Sequence, residues 1–230
     1  MDSVINALTS NNFHRTNIPI SRPLVVHAVA GAGKTTLIQN LLPEHPDLAA
    51  QTAGTSQNPN LTGAFIRKLT CPEPHKLNLL DEYVALQPLK GSWDVVLADP
   101  LQHPGLALRP HFVKSVSHRL CPTTTRLLSK LVCPCTSSRT DESKIQFSGL
   151  FDGPLLGTII ALDQTTQTLL SAHGAPFLCP TAALGLEFDT VTVVSALPLE
   201  EVTDKVALYI SLSRHRSQLH VRSPPPHPTY

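Results

Sequence analysis

The chain has 230 residues, of which 41% are hydrophobic and 15% charged, and its formal net charge is +1. This composition excludes a wholly disordered chain, and the length suits one large domain or two compact ones. Because the net charge is close to zero, binding of nucleic acid through overall charge is excluded, and any such binding needs a local groove or patch.

No targeting or membrane segment is predicted. The first ten residues, MDSVINALTS, lack the pattern of a signal peptide, and no apolar run reaches membrane-spanning length. We therefore expect a soluble, cytosolic chain whose five cysteines are free thiols. Cys133-Pro-Cys135 is not followed by a second pair at zinc-site spacing, which favours no metal there. The sequon Asn60-Leu-Thr62 would matter only in a secreted protein.

Short apolar runs alternate with helix-like or polar segments along the chain. Near-continuous runs such as WDVVLA and VTVVSA are typical of strands buried on both faces of a parallel sheet. The predicted strands are Leu24–Val29, Leu77–Leu80, Val95–Ala98, Phe112–Val116, Thr158–Leu162, Val191–Ala196 and Leu219–Val221. The predicted helices are Thr36–Leu42, Thr123–Leu131 and Val202–Ser213. Alternation of this kind indicates an α/β fold with parallel sheets.

We expect two domains and a tail. The phosphate and acidic motifs described below all precede residue 105, whereas the second half has its own strands and two notable arginines. The predicted domains are therefore residues 1–111 and 112–222. The remaining residues, 223–230, are Pro-rich and are expected to be extended or disordered. Within the second domain, residues 132–143 are rich in Cys, Ser and Thr, which predicts a loop.

The first predicted strand runs into the turn AVAGAGKTT, residues 28–36. Glycines in such a turn leave backbone N–H groups uncovered, so that they can converge on phosphate oxygens, and the helix that follows adds its positive N-terminus. Lys34 supplies a positive charge for the terminal phosphates, and Thr35 offers a hydroxyl to Mg²⁺. The residues expected to bind the nucleotide are Gly31, Ala32, Gly33, Lys34, Thr35 and Thr36. Ala28 departs from the usual motif, which begins with glycine. The alternative is a Gly-rich turn without a ligand.

The second predicted strand, Leu77–Leu80, is followed by two carboxylates, Asp81 and Glu82. An Asp at the carboxyl edge of a parallel sheet can hold the Mg²⁺ that Thr35 also contacts. A neighbouring Glu can polarise the attacking water. The alternative is an ordinary strand exit at the surface.

The third predicted strand, Val95–Ala98, leads to Asp99 and Gln102. A Gln at this place can sense the γ-phosphate or position water, as a Gln does in other P-loop hydrolases. The alternative is a polar loop after a strand.

Two arginines of the second half, Arg119 and Arg214, are candidates for contact with phosphate. If two α/β units face each other across a nucleotide, such residues reach its phosphates from the opposite side and stabilise the transition state. Arg216 competes with Arg214 for this role. The alternative for Arg214 is a solvated side chain at a helix C-terminus.

Taken in chain order, these motifs resemble those of the superfamily 1 helicases of positive-strand RNA viruses. They look most like the triple gene block protein one family of potexviruses and relatives. The resemblance covers about residues 22–222. The segments that carry it are AVAGAGKTT (28–36), QTAGTS (51–56), LLDEY (79–83), ADPLQ (98–102), SHRLCPTT (117–124), GPLLGTIIALD (153–163), TAALGLEFDTVTVV (181–194) and ALYISLSRH (207–215).

The resemblance implies two RecA-like domains with a nucleotide cleft between them, in which ATP is hydrolysed with Mg²⁺. It assigns nucleotide, metal and water chemistry to Lys34, Thr35, Asp81 and Glu82. It assigns contact with the γ-phosphate to Gln102, Arg119 and Arg214. It places the RNA path near Thr52, Ser56, Thr181 and Glu187.

The resemblance also implies a role and a place in the infected cell. Members of the family act in cell-to-cell movement of viral RNA through plasmodesmata and in suppression of host RNA silencing. The expected partners are single-stranded viral RNA, virions, other viral movement proteins, host silencing factors and further copies of the chain. The expected location is the host cytoplasm, together with plasmodesmata and cytoplasmic inclusions.

Two departures from larger helicases bear on activity. Ser213 stands where many of them have Thr before the Arg, which keeps the hydroxyl, and the chain has little room for accessory domains. We therefore expect NTP hydrolysis without strongly processive unwinding. The main alternative is a scaffold that binds RNA, virions or host factors without turnover. A small-molecule P-loop kinase is a further alternative, because a phosphate loop alone does not select the acceptor.

Overall fold

The computed structural model describes residues 1–56, 58, 61, 63–86 and 88–228. The sequon residues Asn60 and Thr62 lie outside the described residues. The chain divides into two compact units, Met1–Ser115 and Val116–Tyr230. Each unit has a largely or wholly parallel sheet combined with helices, which confirms the predicted α/β class.

The first unit is built on a seven-stranded sheet with the order β1-β7-β2-β6-β5-β3-β4. Its edge strand β1 runs antiparallel to β7, and the other neighbouring strands are parallel. The strands are β1 (His14–Arg15), β2 (Leu24–Ala28), β3 (Leu48–Thr52), β4 (Arg67–Lys68), β5 (Leu77–Asp81), β6 (Val95–Ala98) and β7 (Phe112–Lys114). The helices are α1 (Asp2–Ser10) and α2 (Lys34–Glu44).

Burial of the central strands on both faces explains their near-continuous apolar sequences. All residues of β2, β3 and β6 are buried. Helix α2 contributes Leu37, Ile38 and Leu41, which recur at helical spacing, to the same core as Val4 and Leu8 of α1. Neither α1 nor β3 is among the predicted elements, and both complete the packing around the predicted strands.

The register of the sheet brings four strand ends to one edge. His27 in β2 pairs with Ala98 in β6, and Asp81 in β5 pairs with Leu97 of β6 and Thr52 of β3. Ligands of open parallel sheets gather at the carboxyl ends of the strands. A ligand site is therefore expected at the turns that follow β2, β3, β5 and β6.

The second unit is built on a four-stranded, wholly parallel sheet with the order β10-β13-β12-β11, and a separate pair of short strands, β8 and β9. The strands are β8 (Val116–Ser117), β9 (Thr136–Ser137), β10 (Lys144–Ser148), β11 (Thr158–Ala161), β12 (Phe188–Val194) and β13 (His215–Arg222). The helices are α3 (Pro122–Leu131), α4 (Gln164–Ala172) and α5 (Lys205–Leu212). Helix α4 was not predicted, although Asp163 and Thr166 form a capping box at its start.

The strand predicted over Phe112–Val116 is wrong as a single element. Phe112–Lys114 pairs with β2 in the first sheet, whereas Val116–Ser117 pairs with β9 in the second unit. The expected boundary after residue 111 differs from the observed division for this reason. The predicted loop over residues 132–143 likewise contains the short strand β9.

The helix predicted over Val202–Ser213 begins later, at Lys205. The Asp204 side chain accepts the backbone N–H of Ala207 at 2.9 Å, which fixes the start of α5. The beginning of the Pro-rich tail is packed within its unit. Ser223 donates its N–H to the Ser148 carbonyl, and His227 stacks on Phe147. Thr229 and Tyr230 lie outside the described residues. In the part of the chain that the structure describes, no helix combines the length and apolarity needed to cross a bilayer.

Candidate functional site

The turn after β2 is shaped by two glycines. Gly31 and Gly33 adopt left-handed conformations, with φ of 73° and 92°, which residues with a Cβ adopt only at a cost. Ala32 is buried and donates its N–H to the Val29 carbonyl at 3.1 Å, which closes the turn. The glycines are therefore required by the path of the chain from β2 into α2.

Lys34 folds back over this turn. Its Nζ donates to the Ala28 carbonyl at 2.9 Å, and the residue is only 7% exposed. Ala28 is the last residue of β2, so its backbone is extended and glycine is not required there. Thr35 and Thr36 lie in the first turn of α2 and are exposed. The lysine is thus held at the strand end, beside two hydroxyl groups that solvent can reach.

Asp81 places a carboxylate at the same edge. The residue ends β5 and is 5% exposed. Burial, followed by the charge of Glu82, raises the pKa of Asp81 to about 7, against the lowering effect of Lys34. Asp81 also accepts the Glu82 N–H through Oδ1 at 3.1 Å. A bound cation would relieve the cost of keeping this buried carboxylate ionised.

Glu82 itself has a left-handed backbone, with φ of 56°. This conformation is uncommon for a residue with a side chain and persists only where the surroundings impose it. The carboxylate lies 3.6 Å from Nε2 of His103, measured to Oε2. Glu82 directly precedes the 3₁₀-helix Tyr83–Ala85.

Asp99 and Gln102 form a third polar group after β6. Asp99 is 1% exposed and accepts the Leu101 N–H at 3.2 Å, at the start of the 3₁₀-helix Pro100–Gln102. Gln102 donates from Nε2 to Oδ2 of Asp99 at 2.9 Å. Asp99 therefore orients the Gln102 amide, a role that the sequence did not suggest. The contact of Gln102 with a γ-phosphate stays a prediction.

The segment expected on the RNA path begins beside Asp81. Thr52 ends β3, pairs with Asp81 in the sheet and is 4% exposed. Its Oγ1 accepts the Gly54 N–H at 3.0 Å. Ser56 is exposed further along the same loop. The contacts of both residues with RNA stay predictions.

The oxygen ligands at this edge fit Mg²⁺. In the described part of the chain, no group of three or more His, Cys, Asp or Glu side chains converges to hold a metal by itself. Mg²⁺ is commonly bound by one or two carboxylates, water and substrate phosphates, and it prefers oxygen ligands. The Asp81 carboxylate and the Thr35 hydroxyl are oxygen ligands of this kind.

Two groups that the sequence analysis missed lie directly beside these residues. His27 in β2 is 8% exposed, and its Nε2 is 2.8 Å from the hydroxyl of Tyr83. Tyr83 is 1% exposed and also accepts the Leu108 N–H at 2.8 Å. A histidine in the middle of the apolar run VVHAV was the available signal, because a buried polar side chain needs a partner.

In the second unit, the structure joins two predicted residues that were assigned to different sites. Arg119 was expected at the γ-phosphate and Glu187 on the RNA path, but Arg119 Nη1 lies 2.6 Å from Glu187 Oε1. Arg216 binds the other oxygen of Glu187 at 3.2 Å. Burial alone would raise the pKa of Glu187, but the two arginines hold it below its ordinary value. The described structure thus shows a carboxylate clamped between two cations.

The prediction that Arg214 ends a helix is wrong, and so is the alternative of a solvated side chain. Helix α5 ends at Leu212, and Arg214 lies between Ser213 and the start of β13. The residue is 1% exposed and donates from Nη2 to the Ser213 hydroxyl at 2.9 Å. Thr181, also expected on the RNA path, is exposed in the 3₁₀-helix Pro180–Ala183. The phosphate and RNA contacts of these residues stay predictions.

Comparisons with known proteins identify the family and the fold of the chain. The model of the viral superfamily 1 RNA helicase core domain matches residues 24–223. The chain is 89% identical over 230 residues to the movement and silencing protein TGBp1 of Plantago asiatica mosaic potexvirus, with all of both chains covered. It is 47% identical to the protein of that name from Papaya mosaic potexvirus, covering 100% of this chain and 98% of the relative. The corresponding protein of Potato virus X is 36% identical over 224 residues, covering 97% and 99%.

A solved structure described as that of the PRRSV helicase shares the fold. Its TM-score is 0.62 at 18% sequence identity, and the match covers 96% of this chain and 54% of the helicase. The chain therefore spans about half the length of that protein, and at this identity the likeness concerns the fold alone. Sequence, fold and family model together establish that the chain belongs to the potexvirus TGBp1 family of movement and silencing proteins, which has a viral superfamily 1 RNA helicase core.

Proposed function

We propose that the chain binds ATP with Mg²⁺ at the carboxyl edge of its first sheet and hydrolyses it. The observation that carries the proposal is the placement of Lys34, whose Nζ is 2.9 Å from the Ala28 carbonyl at this edge. Its charge also reaches Asp81, where it opposes the rise in the pKa of that carboxyl group. A cation and a buried carboxylate at the end of a glycine-rich turn suit a triphosphate with its metal.

Each side chain has a separate part in the proposed reaction. The backbone of the turn cradles phosphate oxygens, and the Lys34 ammonium neutralises charge on the terminal phosphates. Mg²⁺, held by Asp81 and the Thr35 hydroxyl, would withdraw charge from the same phosphates. Glu82 accepts a proton from the attacking water, and Gln102, oriented by Asp99, positions that water or the γ-phosphate. Arg119 and Arg214 are further candidates for stabilising the transferred phosphoryl group.

We further propose that the chain has the biological role given by the names of its relatives, movement and silencing. Single-stranded viral RNA is the proposed polymer on which it acts. The helicase-core match supports RNA as the ligand. Virions, other viral movement proteins, host silencing factors and further copies of the chain are proposed partners. The host cytoplasm, with plasmodesmata and cytoplasmic inclusions, is the proposed location.

The test of hydrolysis compares Lys34→Ala with Lys76→Ala. Lys76 directly precedes β5 at the opposite edge of the sheet and pairs with Glu73 at 3.4 Å. Release of phosphate from ATP and Mg²⁺ should fall about 100-fold or more in Lys34→Ala, because an electrostatic group of the transition state is lost. Lys76→Ala should keep the wild-type rate. Undiminished hydrolysis in a folded Lys34→Ala protein would contradict the proposal.

A second measurement distinguishes RNA-stimulated ATP hydrolysis from a scaffold role that needs no turnover. Adding single-stranded RNA should increase the ATPase rate of the wild-type chain if the loop after β3 links RNA to the nucleotide site. Glu82→Gln should bind nucleotide without hydrolysing it, because the amide is a far weaker base. Silencing suppression and self-association that survive in this variant would assign those tasks to a scaffold role that needs no turnover.

A further inference from the structure

Tyr83 joins three segments of the first unit through its hydroxyl group. The hydroxyl lies 2.8 Å from Nε2 of His27 and accepts the N–H of Leu108, also at 2.8 Å. The phenol ring packs in a cluster with Val25, Leu80 and other buried side chains. Strand β2 and the loop after β6 are therefore both tied to one oxygen atom, and that atom belongs to the residue that follows Glu82.

The protonation state of His27 determines which group donates each of these hydrogen bonds. Burial, followed by the charge of Lys34, lowers the pKa of His27 to about 4, so the ring is neutral at physiological pH. The Leu108 N–H donates to the Tyr83 oxygen, and the hydroxyl proton is then available to an unprotonated Nε2 of His27. The hydrogen bond between Tyr83 and His27 joins two buried side chains, which increases the cost of breaking it, whereas the bond from the Leu108 N–H is partly buried.

The loop after β6 also contacts Glu82 directly. His103 Nε2 lies 3.6 Å from Glu82 Oε2, and five residues later Leu108 binds Tyr83. Glu82 is thus in contact with His103 and is followed in the chain by the anchored Tyr83. Between these two points the loop presents Leu106, which is 86% exposed.

These contacts explain the backbone of Glu82. A left-handed conformation at a residue with a Cβ is unfavourable unless its neighbours hold it. The hydrogen bond from the Glu82 N–H to Asp81 restrains the backbone before Glu82. The buried ring and the hydroxyl group of Tyr83 restrain the backbone after it. Loss of the hydroxyl would loosen the turn without removing any group expected to touch ATP.

We propose that Tyr83 and His103 are positioning residues, which hold the Glu82 carboxylate where it can act on the water that attacks the γ-phosphate. This inference rests on the proposed ATP hydrolysis. It adds that the loop from His103 to Leu108 sets the rate of the chemical step, because both of its contacts act on Glu82 or on the residue beside it. Displacements of about 1 Å at such a group cost up to about 100-fold in rate.

The test uses the full chain and measures kcat and KM for ATP separately. Tyr83→Phe removes only the hydroxyl, so kcat should fall about tenfold, as expected for a partly displaced base. KM and the affinity for a non-hydrolysable ATP analogue should change less than about twofold, since Lys34 and the phosphate turn are untouched. A rise in KM that matches the fall in kcat would overturn the inference, because it would indicate general damage to the site.

His103→Ala is an independent arm for the case in which Tyr83→Phe does not fold. Its kcat should fall about threefold at an unchanged KM, while His14→Ala on the exposed edge strand β1 should match the wild type. In the double variant Tyr83→Phe/His103→Ala, the loss should be smaller than the product of the single losses, because both act through one carboxylate. Independent, multiplying losses would overturn the shared role.

The controls separate this inference from the function on which it rests. If Lys34→Ala abolishes hydrolysis while folded Tyr83→Phe and His103→Ala keep the wild-type kcat, only the positioning roles are refuted. If the wild-type chain does not hydrolyse ATP, or Lys34→Ala still does, the proposed function fails and the positioning roles fail with it.

Discussion

The two units differ in how their charged side chains are paired. In the first, the Lys34 ammonium binds a backbone carbonyl, and the buried carboxylate of Asp81 has its pKa raised to about 7. In the second, Glu187 is shared by Arg119 and Arg216 and has its pKa lowered. The first arrangement suits the proposed metal and nucleotide, whereas in the second the opposite charges are paired with one another.

The glycines of the two units differ in the same sense. Gly31 and Gly33 have positive φ angles that shape a turn able to receive a ligand. Gly157 also has a positive φ, 66°, but a Cβ built there would lie 2.2 Å from the Thr190 carbonyl oxygen. Glycine thus shapes a turn in the first unit, and in the second it allows the loop before β11 to approach β12 closely. Similar motifs in a sequence can therefore have different physical causes.

The largest expected effect tests the packing side of this comparison. Gly157→Ala should lower the free energy of unfolding by about 3 kcal/mol, from left-handed strain together with the clash against the backbone of β12. Gly174→Ala is the matched control, since it has a φ of 64° and nothing within 4 Å of an added Cβ. It should cost only about 1 kcal/mol. Urea denaturation measures both, and equal losses would remove the packing argument.

The next effect concerns the buried histidine of the first unit. The pKa of His27 is about 4 in the folded chain and 6.5 as its ordinary value, so the unfolded chain binds its proton first as pH falls. His27 therefore contributes stability that is complete above pH 6.5 and is lost as pH falls towards 4. The loss approaches about 3 kcal/mol, at about 1.4 kcal/mol per pH unit across this window.

His27→Gln provides the comparison, because its amide is neutral and can accept a hydrogen bond from Tyr83. The free energy of unfolding of wild type and variant should be measured from pH 7.5 to 4. The wild-type curve should fall more steeply below pH 6.5, and subtracting the variant's curve removes the other titrating groups. Parallel curves would show that His27 does not titrate in this way.

The smallest effect concerns the ion pairs that Arg119 and Arg216 form with Glu187 in the second unit. Glu187→Gln leaves Arg119 and Arg216 without their shared carboxylate, and should cost about 1 kcal/mol of unfolding free energy. The loss should shrink at high salt, because these side chains are partly exposed. Glu200→Gln, which loses a longer 3.7 Å contact with Lys130, should be close to neutral. A Glu187 effect no larger than this control would contradict the clamp.

Much of the first unit could be predicted from the sequence because its signals are local. An apolar run, two glycines and Lys-Thr specify a strand, a turn and a helix within about twenty residues, and β2 and α2 lie where predicted within two residues at each end. Asp81 was predicted at a strand end because carboxyl edges of parallel sheets collect polar groups. The strands β3 and β10 and the helix α4 were missed, since their sequences are short or mixed in polarity.

The partners of the site residues could not be predicted in this way. The contacts of His27 with Tyr83 and of Arg119 with Glu187 join residues 56 and 68 positions apart. No periodicity connects such positions, because their proximity depends on strand order and on the paths of the loops. The same is true of Phe112–Val116, which is one apolar run in the sequence but belongs to two units in the structure.

By itself, the sequence determined the class of fold, the glycine-rich turn after β2, the acidic strand ends and the family, because each is carried by residues adjacent in the chain. The tertiary structure decided which charges are satisfied. It holds Lys34 at the Ala28 carbonyl, clamps Glu187 between two arginines and fixes Glu82 beside an anchored tyrosine. Charge interactions depend on burial and on distance through space, and only the folded chain sets either quantity.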